Sequence, residues 1–329
     1  YNETLLMRPV RGASATDSIL FVSESNNPEL VKLRTNTYSP VQLELRGANH
    51  FSFKDITFRS DYIYTGLGLV LLDSNASHIN FMNCVFSDTI FGTNGEVLLA
   101  SEYGSRSDSL SVMNCTFKGG RYGINAYGGV SGTVTGLRVI NSNFVDQYYR
   151  GIYFEDQSDF TVSGDSVYTN RGNTSYTGIY GYFSREGGRV SGNYILATDD
   201  GIYLSDVDGT NGDEVLLTNN YVGLSGSNSG SGIYASSCDY LNVAYNSVRS
   251  FNSSTSTEAF YESSCSNMKV YNNIFQNEGQ GYAIDMDGYS SYEQDHNNLY
   301  SSGATLARYR NSAYSDLSAF QAVSNLDTN

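Results

Sequence analysis

The chain has 329 residues, with 34 acidic against 19 basic side chains, a formal net charge of −15, 33 glycines, 28 tyrosines, 3 prolines and no tryptophan. A field of that sign repels nucleic acid and anionic membrane surfaces, and no apolar stretch approaches the ~20 residues needed to cross a bilayer, so neither nucleic-acid binding nor membrane insertion is expected. It also weighs against an unaided polyuronate groove, which would need bound Ca²⁺ or a local Arg cluster to reverse the sign.

Tyr1-Asn2-Glu3-Thr4 leads directly into Leu5-Leu6-Met7, so the chain opens close to a strand. It reads as a processed or excised segment of a larger secreted protein or assembly, with a short piece of the first coil upstream. From Phe51 a phrase of the form apolar-x-apolar-x-Asn-x-x-apolar recurs. Its clear copies run Phe51 to Phe58 around Asp55, Ile79 to Phe86 around Asn83, Leu110 to Phe117 around Asn114, and Leu137 to Phe144 around Asn141. Later copies centre on Gly164, Gly192, Asn219, Asn246, Asn272 and Asn297. The steps between centres run from 23 to 31 residues and average about 27, too long for a hairpin and right for a coil of three strands. Alternation such as Leu110 and Val112 inward, Ser111 and Met113 outward, marks half-buried strands.

A second phrase keeps step with the first: Tyr122-Gly-Ile124, Arg150-Gly-Ile-Tyr153, Thr177-Gly-Ile-Tyr180, Asp200-Gly-Ile-Tyr203, Ser231-Gly-Ile-Tyr234, Glu258-Ala-Phe-Tyr261 and Tyr282-Ala-Ile-Asp285. Two columns with one period predict an all-β, right-handed parallel β-helix solenoid of about ten coils. Residues 1–300 form the helix and 301–329 a C-terminal cap, in a single domain, because no Pro-rich, charged or low-complexity linker interrupts the chain. Within the cap, Ser315 to Val323 predicts a short helix or tight turn with Ser315 at its N-cap.

The two columns carry separate expectations. Ile152, Ile179, Ile202, Ile233, Phe260 and Ile284 are assigned to the core. Asn83, Asn114, Asn141, Asn219, Asn246, Asn272 and Asn297 are assigned to one structural column, since Asn tolerates a left-handed turn and stacked amides can each donate to the next rung.

The Tyr-Asn-Glu start, the Asn-Cys-Thr-Phe and Asn-Asn-x-Phe turns, and the closing His296-Asn-Asn-Leu-Tyr300, Tyr314, Leu317 and Phe320-Gln321 resemble the secreted bacterial right-handed β-helix proteins of the pectate-lyase-like superfamily. The resemblance spans nearly the whole chain and implies the fold and a secreted or cell-surface bacterial location. It implies no single activity, because the superfamily holds lyases, hydrolases, epimerases and adhesins. Of the motifs a hydrolase member would carry, only Asp199-Asp200 matches, and Gly-His-Gly is missing. The lyase branch needs a basic residue. Arg150, Arg185 and Arg189 are the only ones placed near the second phrase, and none sits in a lyase pattern.

Tyr153, Tyr180, Tyr203, Tyr234 and Tyr261 predict an outward tyrosine stripe. It is either an aromatic ladder that stabilises the sheet or a platform for sugar rings, which would make these five the ligand-binding residues. Glu155, Asp156, Asp199, Asp200, Glu258, Asp285 and Asp287 flank it. Asp200, Glu258 and Asp285 are the catalytic candidates, with Asp200 and Glu258 two rungs, or ~9.6 Å, apart. Asp206, Asp208 and Asp213 are the candidate Ca²⁺ ligands, although Leu204 stands where the EF-hand pattern needs its first acid. Otherwise no cofactor is expected. Cys84 with Cys115, and Cys238 with Cys265, fall at equal positions in adjacent coils. Disulfides stay open, but parallel Cβ vectors strain such a bridge and favour stacked thiols.

The function expected is a secreted or cell-surface scaffold or adhesin-like surface touching a polysaccharide or surface glycan through the stripe. The alternatives are a polysaccharide lyase or glycoside hydrolase using carboxylates on the same face, and a purely structural spacer or filament.

Overall fold

The computed structural model describes residues 4–34, 41–61, 68–93, 95–129, 133–226, 229–287 and 292–328. Residues 1–3, which carry the reading of the chain start, lie outside the described residues. The chain forms two compact units, Tyr1–Arg171 and Gly172–Asn329.

Each unit is a parallel β-helix. In the first, one coil consists of Val97–Ser101, Leu110–Met113 and Thr116–Lys118, and Tyr122–Tyr127 then returns beside Val97–Ser101 with Leu99 opposite Ile124. Among the described residues, six strands stack in this way in each of three sheets of the first unit. The second unit has six parallel strands in the first sheet and five in each of the others. Right-handed twist of the strands favours a right-handed crossover, so each coil winds in the same sense. The right-handed parallel β-helix expected from the repeat is therefore the fold. Ile19–Val22 pairs in register with Asn49–Lys54 although it lacks the recurring phrase, because Ser23 stands where later coils carry Asp or Asn.

The core column is as expected. Ile152, Ile179, Ile202, Ile233, Phe260 and Ile284 are all fully buried, and each contributes about 2 kcal/mol of hydrophobic stabilisation. In the first unit, the phenylalanines that end the recurring phrase stack from rung to rung. Phe58, Phe86, Phe117 and Phe144 have ring centroids 5.1, 4.5 and 4.6 Å apart.

The asparagine column divides in two. Asn83, Asn114, Asn141, Asn219 and Asn272 sit at the turn itself, with φ between 52° and 57° and exposed side chains. Asn246 and Asn297 belong instead to the next position, which points inward. There Asn193, Asn220, Asn246, Asn273 and Asn297 form the amide ladder. Asn220 donates its backbone N–H at 3.0 Å and its Nδ2 at 2.9 Å to Asn246 Oδ1, and Asn246 repeats the pattern on Asn273 at 2.9 and 3.0 Å. The expectation of a single column fails because Asn occurs at both adjacent positions and spacing alone cannot separate them. In the first unit the inward position holds other acceptors: Cys84 N–H donates to Cys115 Sγ, Cys115 N–H to Ser142 Oγ, and Ser142 N–H to Asp165 Oδ1. All four cysteines are buried free thiols.

The C-terminal segment closes the last coil. Ala307–Tyr309 pairs with Tyr282–Met286, Ser312–Tyr314 folds back antiparallel, and a helix follows at Leu317–Ser324. Its N-cap is Asp316, which accepts from Ala319 N–H at 2.9 Å, and not Ser315. Phe320 packs edge-on against Tyr309 and Tyr314. Asp327 then accepts both Asn297 donors at 3.0 and 2.9 Å and ends the amide ladder. No helix among the described residues is long and apolar enough to cross a membrane.

Asn246→Ala leaves two buried donors of Asn220 without an acceptor and is expected to cost about 3 kcal/mol. Asn272→Ala strains only an exposed left-handed turn and costs about 1 kcal/mol. Urea midpoints of the two variants, compared at equal m-value, check this order.

Candidate functional site

The tyrosine face is built by register. In the second unit, Ile179, Ile202, Ile233, Phe260 and Ile284 lie opposite one another, which places Tyr180, Tyr203, Tyr234 and Tyr261 on successive rungs, followed by Asp285 and Arg308. The glycine before the inward Ile has a packing cause. A Cβ at Gly201 would stand 2.2 Å from Val222 Cγ1, and one at Gly232 would stand 2.1 Å from Val248 Cγ1. The third sheet presses against this corner and only a hydrogen fits.

The four tyrosines are a ladder. Their centroids are 4.3, 4.3 and 4.7 Å apart with planes within 20° of parallel. Tyr203 and Tyr234 therefore have both ring faces covered by neighbours, and edges and phenol oxygens are what they offer a ligand. Burial, with the flanking Tyr180 and Tyr234, pushes the Tyr203 phenol up, so that phenol stays uncharged. Tyr153 belongs to the first unit. It is buried, lies opposite Asn125, meets Tyr127 edge-on, has Arg150 over its ring, and donates to Glu155.

Beside the ladder is a concavity of about 310 Å³ lined by Asp199, Asp200, Ser231, Tyr234, Glu258 and Tyr261, with Ser229, Gly230 and Ser256. Asp200, Ser231 and Glu258 occupy one column on three consecutive rungs, so the two expected acids are brought to one wall. Ser231 bridges them. Its N–H donates to Asp200 Oδ1 at 2.8 Å and its hydroxyl to Glu258 Oε2 at 2.9 Å. Burial pushes the Glu258 carboxyl up to about 8, with Asp285 and Asp200 adding to it and the Ser231 hydroxyl and Arg308 opposing. Burial likewise raises Asp199. Asp285 is ion-paired with Arg308, whose guanidinium also lies over the Tyr282 ring.

Ser231 and Arg308 were not singled out from sequence. Ser231 was recoverable, since it precedes Gly-Ile at the same offset as Asp200. Arg308 was not, because its coil reads Leu306-Ala307-Arg308 and lacks the phrase. Arg185 pairs with Asp208 at a turn and Arg189 lies opposite Leu216 on the second sheet, so neither faces the tyrosines. Asp287 accepts from Ser264 N–H and from Tyr292 OH.

The candidate Ca²⁺ ligands are not assembled into a metal site. No group of three or more His, Cys, Asp or Glu side chains that could hold a metal occurs among the described residues. Asp208 accepts Asp239 N–H besides its pairing with Arg185, and Asp206 accepts from Ser205 Oγ at 2.9 Å. The Asp213 carboxylate lies close under Gly187, where a Cβ would stand 2.6 Å from its Oδ1.

No curated protein matches the sequence. Among solved structures, two mutants of the periplasmic alginate epimerase AlgG match at TM-score 0.51 and 16% identity, over 84% of this chain and 62% and 63% of theirs. The chain thus spans less than two thirds of those structures, and the likeness is one of fold. Residues 82–305 match the family described as periplasmic copper-binding protein (NosD). That family places the chain among bacterial proteins of the periplasmic or secreted compartment, as expected. With its three stacked sheets and with most of its length covered by that one match, the chain belongs to the NosD family of β-helix proteins.

Proposed function

We propose that the chain is an exported β-helix module that holds a glycan along the first sheet of its second unit, by hydrogen bonds to the phenol row and the adjoining acidic concavity. The observation carrying this is the in-register stack of Tyr180, Tyr203, Tyr234 and Tyr261 beside Asp200, Ser231 and Glu258. Sugar hydroxyls both donate and accept, as do phenols, the Ser231 hydroxyl and a protonated Glu258. Because ring faces are covered inside the ladder, contact is through hydroxyls and edges, in place of the stacking platform considered from sequence. The acidic wall, with Arg308 committed to Asp285, fits a neutral or amino-bearing glycan and disfavours a polyuronate. A rigid adhesive surface satisfies this description without turnover.

A glycoside hydrolase at the same wall is favoured by one observation. A carboxyl held up to about 8 is protonated at neutral pH, as a general acid must be, and Asp200 lies two rungs away. Copper, which the family description carries, does not fit the side chains among the described residues. His50 and His78 stack with centroids 4.5 Å apart and planes 3° from parallel, so their in-plane lone pairs cannot converge on one ion. The four thiols lie buried in separate pairs.

Affinity gels with a panel of neutral, amino-bearing and acidic polysaccharides test the binding. Retention by a neutral or amino-bearing glycan, lost in Tyr203→Ala and Tyr234→Ala, is expected. No retention on any gel leaves only a structural spacer. Release of reducing ends would establish the hydrolase, and unsaturated uronate absorbance a lyase.

The raised carboxyl also sets a pH dependence. The folded state binds the Glu258 proton more tightly than the unfolded chain, whose glutamates titrate near 4.5. Its contribution to stability is therefore complete below that value and is lost as pH rises to about 8. Buried Glu96, also pushed up to about 8, acts in the same direction. Glu258→Gln is expected to flatten part of this decline in urea titrations between pH 5 and 9 and to abolish any weakening of glycan retention above pH 8.

A further inference from the structure

We propose that the cleft on the outer face of the third sheet in the first unit binds an oxyanion, the carboxylate, sulfate or phosphate group of a small ligand. The cleft has a volume of about 400 Å³ and is lined by Lys32, Arg59, Lys118 and Arg171, within the range of about 300–1,000 Å³ that ligand sites occupy. Four cations in one concavity stand out in a chain of net charge −15 that has 19 basic residues.

Register explains how they meet. Arg34, Arg59, Ser87 and Lys118 follow one another on consecutive rungs of the outward column. Like charges placed directly opposite across neighbouring strands, as Arg34 and Arg59 are, destabilise a sheet. A fold that keeps them together gains when an anion neutralises them. Arg59 is paired with Asp61, Lys32 with Glu29 and Arg171 with Asp146. Lys118 is exposed and makes no ion pair among the described residues.

Three carboxylates line the cleft, of which Asp146 is taken by Arg171. Asp88 is turned inward, where its oxygens accept Ile90 N–H at 2.9 Å and Glu96 N–H at 2.7 Å, so it does not compete for them. Glu29 lies on an exposed turn, 2.8 Å from Lys32, and its carboxyl is held below the usual range by Lys32 first and then by Arg59 and Lys118. Lys32 thus holds Glu29 directly while Arg59 and Lys118 line the same cleft, and an external oxyanion takes the place of that carboxylate. The site shares no residue with the tyrosine face and stands or falls separately from the glycan proposal.

Calorimetric titration of the full chain with sodium sulfate, inorganic phosphate, glucuronate and glucose, at low ionic strength because exposed charges are screened by salt, tests it. Saturable binding of at least one of the three anions and none of glucose is expected, the tightest anion naming the preferred carrier. Lys118→Met should weaken binding about tenfold, as loss of one charge-assisted contact does, and Glu29→Gln should strengthen it by removing the internal competitor. Both positions are exposed, and unchanged circular dichroism confirms that the variants fold. Absence of saturable anion binding, equal binding of glucose, or weaker binding in Glu29→Gln overturns the proposal.

Discussion

At the turns between the second and third sheets that carry Cys84, Cys115, Ser142, Asn193, Asn220, Asn246 and Asn273, a buried backbone N–H finds its acceptor in the side chain of the next coil. A buried amide left unpaired costs about as much as a hydrogen bond is worth, so this demand fixes what stands at the inward position of each rung. In the second unit Asn meets it repeatedly, with Nδ2 donating to the next Oδ1 as well as to a carbonyl such as Leu217 O. In the first unit Cys115, Ser142 and Asp165 each present a single acceptor to the N–H one rung away. Asp327 accepts the last pair of donors, so the closing segment completes a hydrogen-bond chain as well as covering apolar surface.

The same rung spacing determines what the tyrosine face can do. Side chains repeated in register must lie ~4.8 Å apart, a distance at which parallel rings touch face to face. A column of tyrosines is therefore a poor stacking platform and a good row of hydroxyls. Chemical variety enters at the corner, where Asp200, Ser231 and Glu258 replace one another on successive rungs. There burial, more than any neighbouring charge, keeps Glu258 protonated near neutral pH.

A strong net charge need not be spread evenly. Parallel stacking places residues some 27 positions apart as direct neighbours, so a few substitutions at one offset create a column of either sign. Arg34, Arg59 and Lys118 form such a column in the first unit, and Asp200 and Glu258 flank another in the second. Each surface selects ligands by local potential, which the overall charge of −15 does not describe.

The repeat by itself determined the fold, the buried Ile and Phe column, and the stacking of Tyr180, Tyr203, Tyr234 and Tyr261, because hydrophobic alternation and a constant period leave one arrangement in which both phrases can be satisfied. It also brought Asp200 and Glu258 to one wall. Tertiary structure decided what depends on the direction of a side chain at a corner. Adjacent Asn residues separate there into an exposed left-handed turn and an inward ladder, so Asn246 parts company with Asn219. Arg308 reaches Asp285 from a coil without the phrase. Periodicity specifies which residues are vertical neighbours. A turn rotates them by an angle that one residue's shift in register is enough to change.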